Sequence, residues 1–283
     1  MNAANRSGEE HGELRLPPGP LVLIGAGKMG GALLEGWLNF GFDPARIIVI
    51  EPQPTPAISA LVARGLQLNP DAAVLNTAAG VVIAVKPQAA AEALAAASPS
   101  IATTTVVVSI MAGRTIQSLA QGLRRSCALV RAMPNLPAAI GRGITVAVGR
   151  GANPEQRRLA DRLLSATGLV EWIKDEALMD AVTAVSGSGP AYVFLLAETL
   201  ARAGVQAGLP PDLAEKLARE TVSGAGELLR RGNADAASLR ENVTSPGGTT
   251  AAALAVLMGP NGLSPLMIKA VAAATDRSRQ LAR

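Results

Sequence analysis

From Leu21 to about Lys174, short apolar runs rich in β-branched residues recur between helix-length segments. They are Leu21 to Ile24, Arg46 to Ile50, Val81 to Val85, Thr105 to Ile110, Ala128 to Met133, Ile144 to Val148 and Leu169 to Ile173. Several are continuously apolar rather than alternating, which is the pattern of strands covered on both faces. Such strands separated by helices predict a parallel sheet sandwiched between helices, an α/β domain of the Rossmann type. Past Trp172 the β-branched runs vanish and Ala, Leu, Glu and Arg dominate. Helices are expected over Pro190 to Ala207, Pro211 to Arg230, Asp235 to Glu241, Thr249 to Met258 and Leu263 to Leu281. The chain therefore divides near residues 172–178 into a sheet domain, 21–174, and an all-α domain, 175–283. Residues 1–20 show neither periodicity and read as a flexible leader.

Composition removes several classes of function. With 49% hydrophobic and 17% charged residues in 283, the chain is too apolar to be disordered and long enough for one or two domains. No apolar run approaches the roughly 18 residues of a membrane span. The net charge of +4 is scattered along the chain, and two Trp, one Tyr and three Phe leave little for bases to stack on, which argues against nucleic acid. A single cysteine, Cys127, forms no internal disulfide, and no Cys or His spacing suggests a metal site. A reducing, cytoplasmic setting is the expectation. The only histidine, His11, lies in the leader.

Candidate chemistry begins at Gly25-Ala26-Gly27-Lys28-Met29-Gly30. This G-x-G-x-x-G follows the first strand and opens the apolar-periodic stretch Ala32 to Phe40, the context a dinucleotide loop requires. Gly25 permits the tight turn, Gly27 lets a pyrophosphate approach the backbone, and Gly30 lets helix and strand pack closely. A purely structural glycine turn is the alternative. Glu51 closes the second strand at roughly the interval of about 20 residues where an acid bonds the ribose 2′-hydroxyl and favours NAD over NADP. It reads equally as an exposed acid at a strand end.

Two glycine-rich stretches stand in the helical half. Asn242-Val243-Thr244-Ser245-Pro246-Gly247-Gly248-Thr249-Thr250 gathers hydroxyls and backbone N–H groups ahead of an Ala-rich helix. That suits a carboxylate, and equally an ordinary helix start capped by Ser or Thr. Ser186-Gly187-Ser188-Gly189-Pro190 opens another helix and reads also as a capped linker. The folded region lacks histidine, which removes a His general acid. Tyr192 either donates a proton or packs on a helix face. An imine, which can arrive already protonated, fits so sparse a set of acids.

Five stretches together resemble pyrroline-5-carboxylate reductase: the glycine loop with Gly30-Gly31-Ala32, Ala84-Val85-Lys86-Pro87-Gln88, Arg131-Ala132-Met133-Pro134-Asn135, Ser186 to Tyr192, and Val243 to Thr250. The resemblance runs from Leu21 to the end in order and spacing. It implies reduction of 1-pyrroline-5-carboxylate to L-proline with NADPH or NADH, the last step of proline biosynthesis, by a homodimer or a ring of dimers built through the helical domain. It implies that Gly25, Ala26, Gly27, Lys28, Met29, Gly30, Ala84, Val85, Lys86, Pro87 and Ala112 hold the cofactor, and that Asn242 lies toward its nicotinamide end. It implies a carboxylate site at Ser245, Gly247, Gly248, Thr249 and Thr250, with Thr250 orienting or protonating the imine nitrogen.

Two departures bear on the cofactor. Glu51-Pro52 stands where NADP-preferring members carry small hydroxyl or basic residues, and Asp71 stands where an asparagine is frequent. Both add negative charge at the adenosine end and favour NADH. Three rivals remain on residue chemistry: another cyclic imine reductase; a β-hydroxyacid dehydrogenase, whose lysine acid would have to be Lys216 or Lys269; and a nucleotide-binding protein without turnover. Self-association is expected on separate grounds, since apolar helical stretches such as Thr249 to Met258 need a covering partner.

Overall fold

The computed structural model describes residues 18–71, 78–123 and 126–281; His11 and most of the leader lie outside them. The chain separates into two compact units, one reaching Met179 and the other spanning Asp180–Leu281. The division falls a few residues past the change in composition.

The first unit runs β1 (Leu21–Ile24), α1 (Lys28–Asn39), β2 (Ile47–Ile50), α2 (Pro56–Ala60), β3 (Gln67–Leu68), β4 (Gly80–Ile83), α3 (Ala90–Ala97), β5 (Val106–Ser109), α4 (Ile116–Leu123), β6 (Ala128–Met133), β7 (Gly143–Arg150), α5 (Pro154–Ser165) and β8 (Gly168–Trp172). These strands form one sheet in the order β3-β2-β1-β4-β5-β6-β7-β8. Every residue of β1, β4 and β5 is buried, because helices cover both faces, and this is why those runs are apolar without alternation. Trp37, fully buried on α1, donates its indole N–H to the Leu163 carbonyl at 2.8 Å and locks α1 to α5.

Three expectations need correction. The fourth strand stops at Ile83, so Ala84 and Val85 belong to the turn beyond it. The sheet is not wholly parallel: β7 runs antiparallel to β6. Only a 3-10 turn, Leu136–Ile140, joins those two strands, and a parallel return needs a crossover of a dozen or more residues. The two-residue β3 was not expected at all.

The second unit is wholly helical: α6 (Met179–Val182), a π-helical turn (Thr183–Gly187), α7 (Gly189–Gln206), α8 (Pro211–Arg231), α9 (Ala236–Asn242), α10 (Thr249–Leu257) and α11 (Leu263–Leu281). Gly204 lets α7 approach α8, since a Cβ there would lie 3.3 Å from that of Ala214. The Ser278 hydroxyl donates to the Asp180 carboxylate at 2.7 Å and ties α11 to the start of the unit. Burial is sparse nonetheless, with Phe194 59% and Val256 75% exposed.

Candidate active site

The chain leaves β1 toward β2 and leaves β4 toward β5, in opposite directions across the sheet. The carboxyl ends of β1 and β4 therefore flank the switch point where open α/β sheets hold nucleotides. Gly25 turns the chain out of β1 with φ +87°, and its N–H donates to the Ile50 carbonyl at 2.8 Å. A Cβ on Gly25 would fall 2.7 Å from Val85 Cγ1, and one on Gly30 would run into the Gly25 carbonyl oxygen. The fold itself demands glycine at both positions. Gly27 differs, since a Cβ there would meet no protein atom within 4 Å.

Room is thus left in front of Gly27, and Gly27 is also the N-cap of α1, where no side chain caps the helix. Unclaimed N–H groups at a helix start, facing open space across a glycine, suit a pyrophosphate. The loop fits a dinucleotide on these grounds. Around it, Ala26 and Gly30 are buried, Met29 is half-buried and Lys28 is exposed. A cleft of about 600 Å³ opens alongside between α1 and α2, lined by Gly27, Lys28, Leu34, Ile58 and Leu61 among others.

The other sheet-unit residues expected at the cofactor stand at the same edge of the sheet. The Ala84 N–H donates to the Ile24 carbonyl at 2.8 Å, which seats Ala84-Val85-Lys86-Pro87 against the glycine loop. The Ile110 N–H reaches the Ile83 carbonyl at 3.0 Å and leads to exposed Ala112 beyond β5. Glu51 directly follows β2 and is half-buried rather than a free surface acid. Its Oε2 accepts the Ala26 N–H at 2.8 Å, and its Oε1 accepts the Gln53 N–H at 3.1 Å.

Two features escaped the sequence reading. Asn69, at φ +47°, accepts the Glu51 N–H at 2.8 Å and donates to the Glu51 carbonyl at 2.9 Å; the dipeptide Asn69-Pro70 was its signal, since asparagine tolerates the left-handed region. Asp71 is exposed two positions further on. Arg131, 5% exposed, pairs at 2.9 Å with Glu176 Oε1, which also accepts the Ile116 N–H at 2.8 Å. An arginine inside an apolar strand run required a buried partner, but nothing local identified Glu176.

In the helical unit the second expected site is a turn and a helix start. Asp235 caps α9 by accepting the Ser238 N–H at 2.8 Å, and this backbone bond holds its carboxyl below the usual value. Asn242 is the last residue of α9. The Thr244 hydroxyl donates to the Arg240 carbonyl at 2.6 Å. Ser245 to Gly248 then form a tight turn in which the Gly248 N–H donates to the Ser245 carbonyl at 3.0 Å. Pro246 and Gly247 occupy its centre, and Gly247 at φ +70° supplies the left-handed position of a type II turn.

Gly248 is the N-cap of α10, again without a side-chain cap. The alternative of a helix capped by Ser or Thr is thereby corrected. The hydroxyls of Ser245, Thr249 and Thr250 take no hydrogen bond among the described residues, so they and the first N–H groups of α10 are available to an anion. Ser186 to Pro190 is likewise no capped linker: Ser186 and Gly187 complete the π-helical turn that runs into α7. The Tyr192 hydroxyl donates to the Ala184 carbonyl at 3.1 Å and staples α7 to that turn. Lys216 and Lys269 are exposed. No cluster of three metal-ligating side chains occurs among the described residues.

Comparison with known proteins agrees with both halves. Residues 176–281 match the model of the pyrroline-5-carboxylate reductase dimerisation family. A Synechocystis pyrroline-5-carboxylate reductase is 40% identical over 93% of this chain and 98% of its own length. The chain belongs to the pyrroline-5-carboxylate reductase family. A Mycobacterium tuberculosis reductase is 39% identical over 92% of this chain and 96% of that protein. The solved reductase of Coxiella burnetii superposes with a TM-score of 0.86 at 33% identity, covering 94% of this chain and all of that one. Residues 20–113 match a further family, described as NADP oxidoreductase, coenzyme F420-dependent. That segment carries β1 to β5 with the glycine loop, so the two matched regions fall on the sheet unit and on the helical unit. No helix among the described residues is long and apolar enough to cross a membrane.

Proposed function

We propose that this protein reduces 1-pyrroline-5-carboxylate to L-proline with NAD(P)H, the closing step of proline biosynthesis. The observation that carries the reading is the pair of helix starts, α1 at Gly27 and α10 at Gly248, which both lack a side-chain cap and expose N–H groups to an anion. One suits the cofactor pyrophosphate and the other the substrate carboxylate. The reaction adds a hydride to the imine carbon and a proton to the imine nitrogen, and the bound dihydronicotinamide supplies the hydride.

The residues of this chain bind and orient. Gly25 to Gly30, Ala84 to Pro87 and Ala112 hold the dinucleotide, and Asn242 serves its nicotinamide end. The hydroxyls of Ser245 and Thr249, with the N–H groups behind Gly247 and Gly248, clamp the carboxylate. Thr250 directs its hydroxyl to the imine nitrogen. Catalysis of this kind is positioning more than acid strength, which suits a site without histidine. The protein acts as a homodimer or a ring of dimers in a reducing, cytoplasmic setting, and neither nucleic acid nor membrane is a partner.

The test is nicotinamide oxidation by the purified protein with pyrroline-5-carboxylate, run with NADH and with NADPH, and with proline identified as product. Turnover with either establishes the reaction. Cofactor binding without turnover overturns it in favour of a different imine substrate or a non-catalytic nucleotide-binding protein.

A further inference from the structure

Glu51 is held on every side. Its backbone is clamped by the two Asn69 bonds, and its carboxylate is fixed by the Ala26 and Gln53 N–H groups. No ion pair with a lysine or arginine reaches it among the described residues. The carboxylate is therefore an acceptor in a set position, with its charge unmatched by any described side chain. A ribose 2′-hydroxyl is a donor, and the remaining lone pairs can take it. A 2′-phosphate brings close to two negative charges and only acceptor oxygens. It would meet a like charge that cannot swing aside without releasing the Ala26 N–H inside the phosphate loop.

We propose that Glu51 makes this chain selective for NADH over NADPH and at the same time braces the glycine loop, so that selectivity and loop geometry depend on one side chain. The inference rests on the reading of the sheet unit as the dinucleotide site and names the nucleotide it takes. Glu51→Gln separates the two roles. The amide oxygen still accepts the Ala26 N–H, while the charge and the Gln53 bond are lost. Glu51→Ala removes charge and brace together.

Calorimetric titration of the full-length protein with NAD⁺ and with NADP⁺, without imine substrate, reads this directly. Wild type is expected to bind NAD⁺ at least about tenfold more tightly than NADP⁺, and Glu51→Gln to narrow that ratio about tenfold. Glu51→Ala should weaken NAD⁺ as well, because the loop loses its brace. Equal or tighter NADP⁺ binding by wild type, an unchanged ratio in Glu51→Gln, or binding of neither nucleotide overturns the proposal. Selective NAD⁺ binding without turnover of pyrroline-5-carboxylate would sink the reductase reading and leave this inference standing.

Discussion

Gly27 and Gly30 belong to one loop, yet the reasons for glycine there are opposite, and substitution separates them. Gly27→Ala meets open space and should leave thermal unfolding within about 0.5 kcal/mol of wild type while weakening dinucleotide binding about tenfold or more. Gly30→Ala drives a methyl group into the Gly25 carbonyl and should destabilise the fold by about 1–3 kcal/mol, read in denaturant unfolding. Reversal of this pattern would mean that no ligand lies before Gly27. Thr250 is tested in the same way: Thr250→Ala should lower kcat/KM about 100-fold, with Thr250→Ser recovering most of it. Unchanged kinetics in the alanine variant would remove Thr250 from the imine. At this scale much was legible, because glycines, hydroxyls and a strand-end acid advertise their chemistry in sequence. The bracing of Ala26 by Glu51 was not, since it joins residues 25 positions apart through geometry that only the folded sheet creates.

Continuously apolar runs such as Leu21–Ile24 identified their strands because burial on both faces leaves a strong signature. Strand direction has no such signature, and β7 returned antiparallel because the link from β6 is too short to cross over. The π-helical turn at Thr183–Gly187 was equally hidden. It runs into Ser186-Gly187-Ser188-Gly189, which has the composition of a loop, and the tie from Tyr192 to Ala184 marks it as a wound segment. Arg131 on β6 shows how an element carries an obligation elsewhere: its buried guanidinium is matched by Glu176, which also holds the first turn of α4. Glu176→Ala should cost about 3–5 kcal/mol in unfolding free energy by stranding that charge. Glu176→Gln, which keeps an acceptor, should cost less. Equal stability of the alanine variant and wild type in chemical denaturation would show that water already satisfies Arg131.

The helical unit buries few apolar side chains of its own, and its matched family is one of dimerisation. Phe194, Leu195 and Leu196 on α7 are exposed, and self-association is expected to bury them. Phe194→Asp should lower the sedimenting mass at micromolar concentration and reduce Tm; an unchanged mass would place the contact on another face. This expectation was readable from apolar composition, whereas the faces involved were not, since α10 is apolar all round and has no preferred side. The two helix starts at Gly27 and Gly248 carry a wider consequence. Elsewhere in the chain Thr55, Asn153 and Asp235 each finish their helix with a side chain, whereas α1 and α10 begin at a glycine that has none to offer. On the proposed reading, nucleotide and substrate are then pieces of the architecture as much as its cargo. Ligand at 100 times its dissociation constant adds about 2.7 kcal/mol to the folded state, so metabolite supply would set how long each copy survives proteolysis.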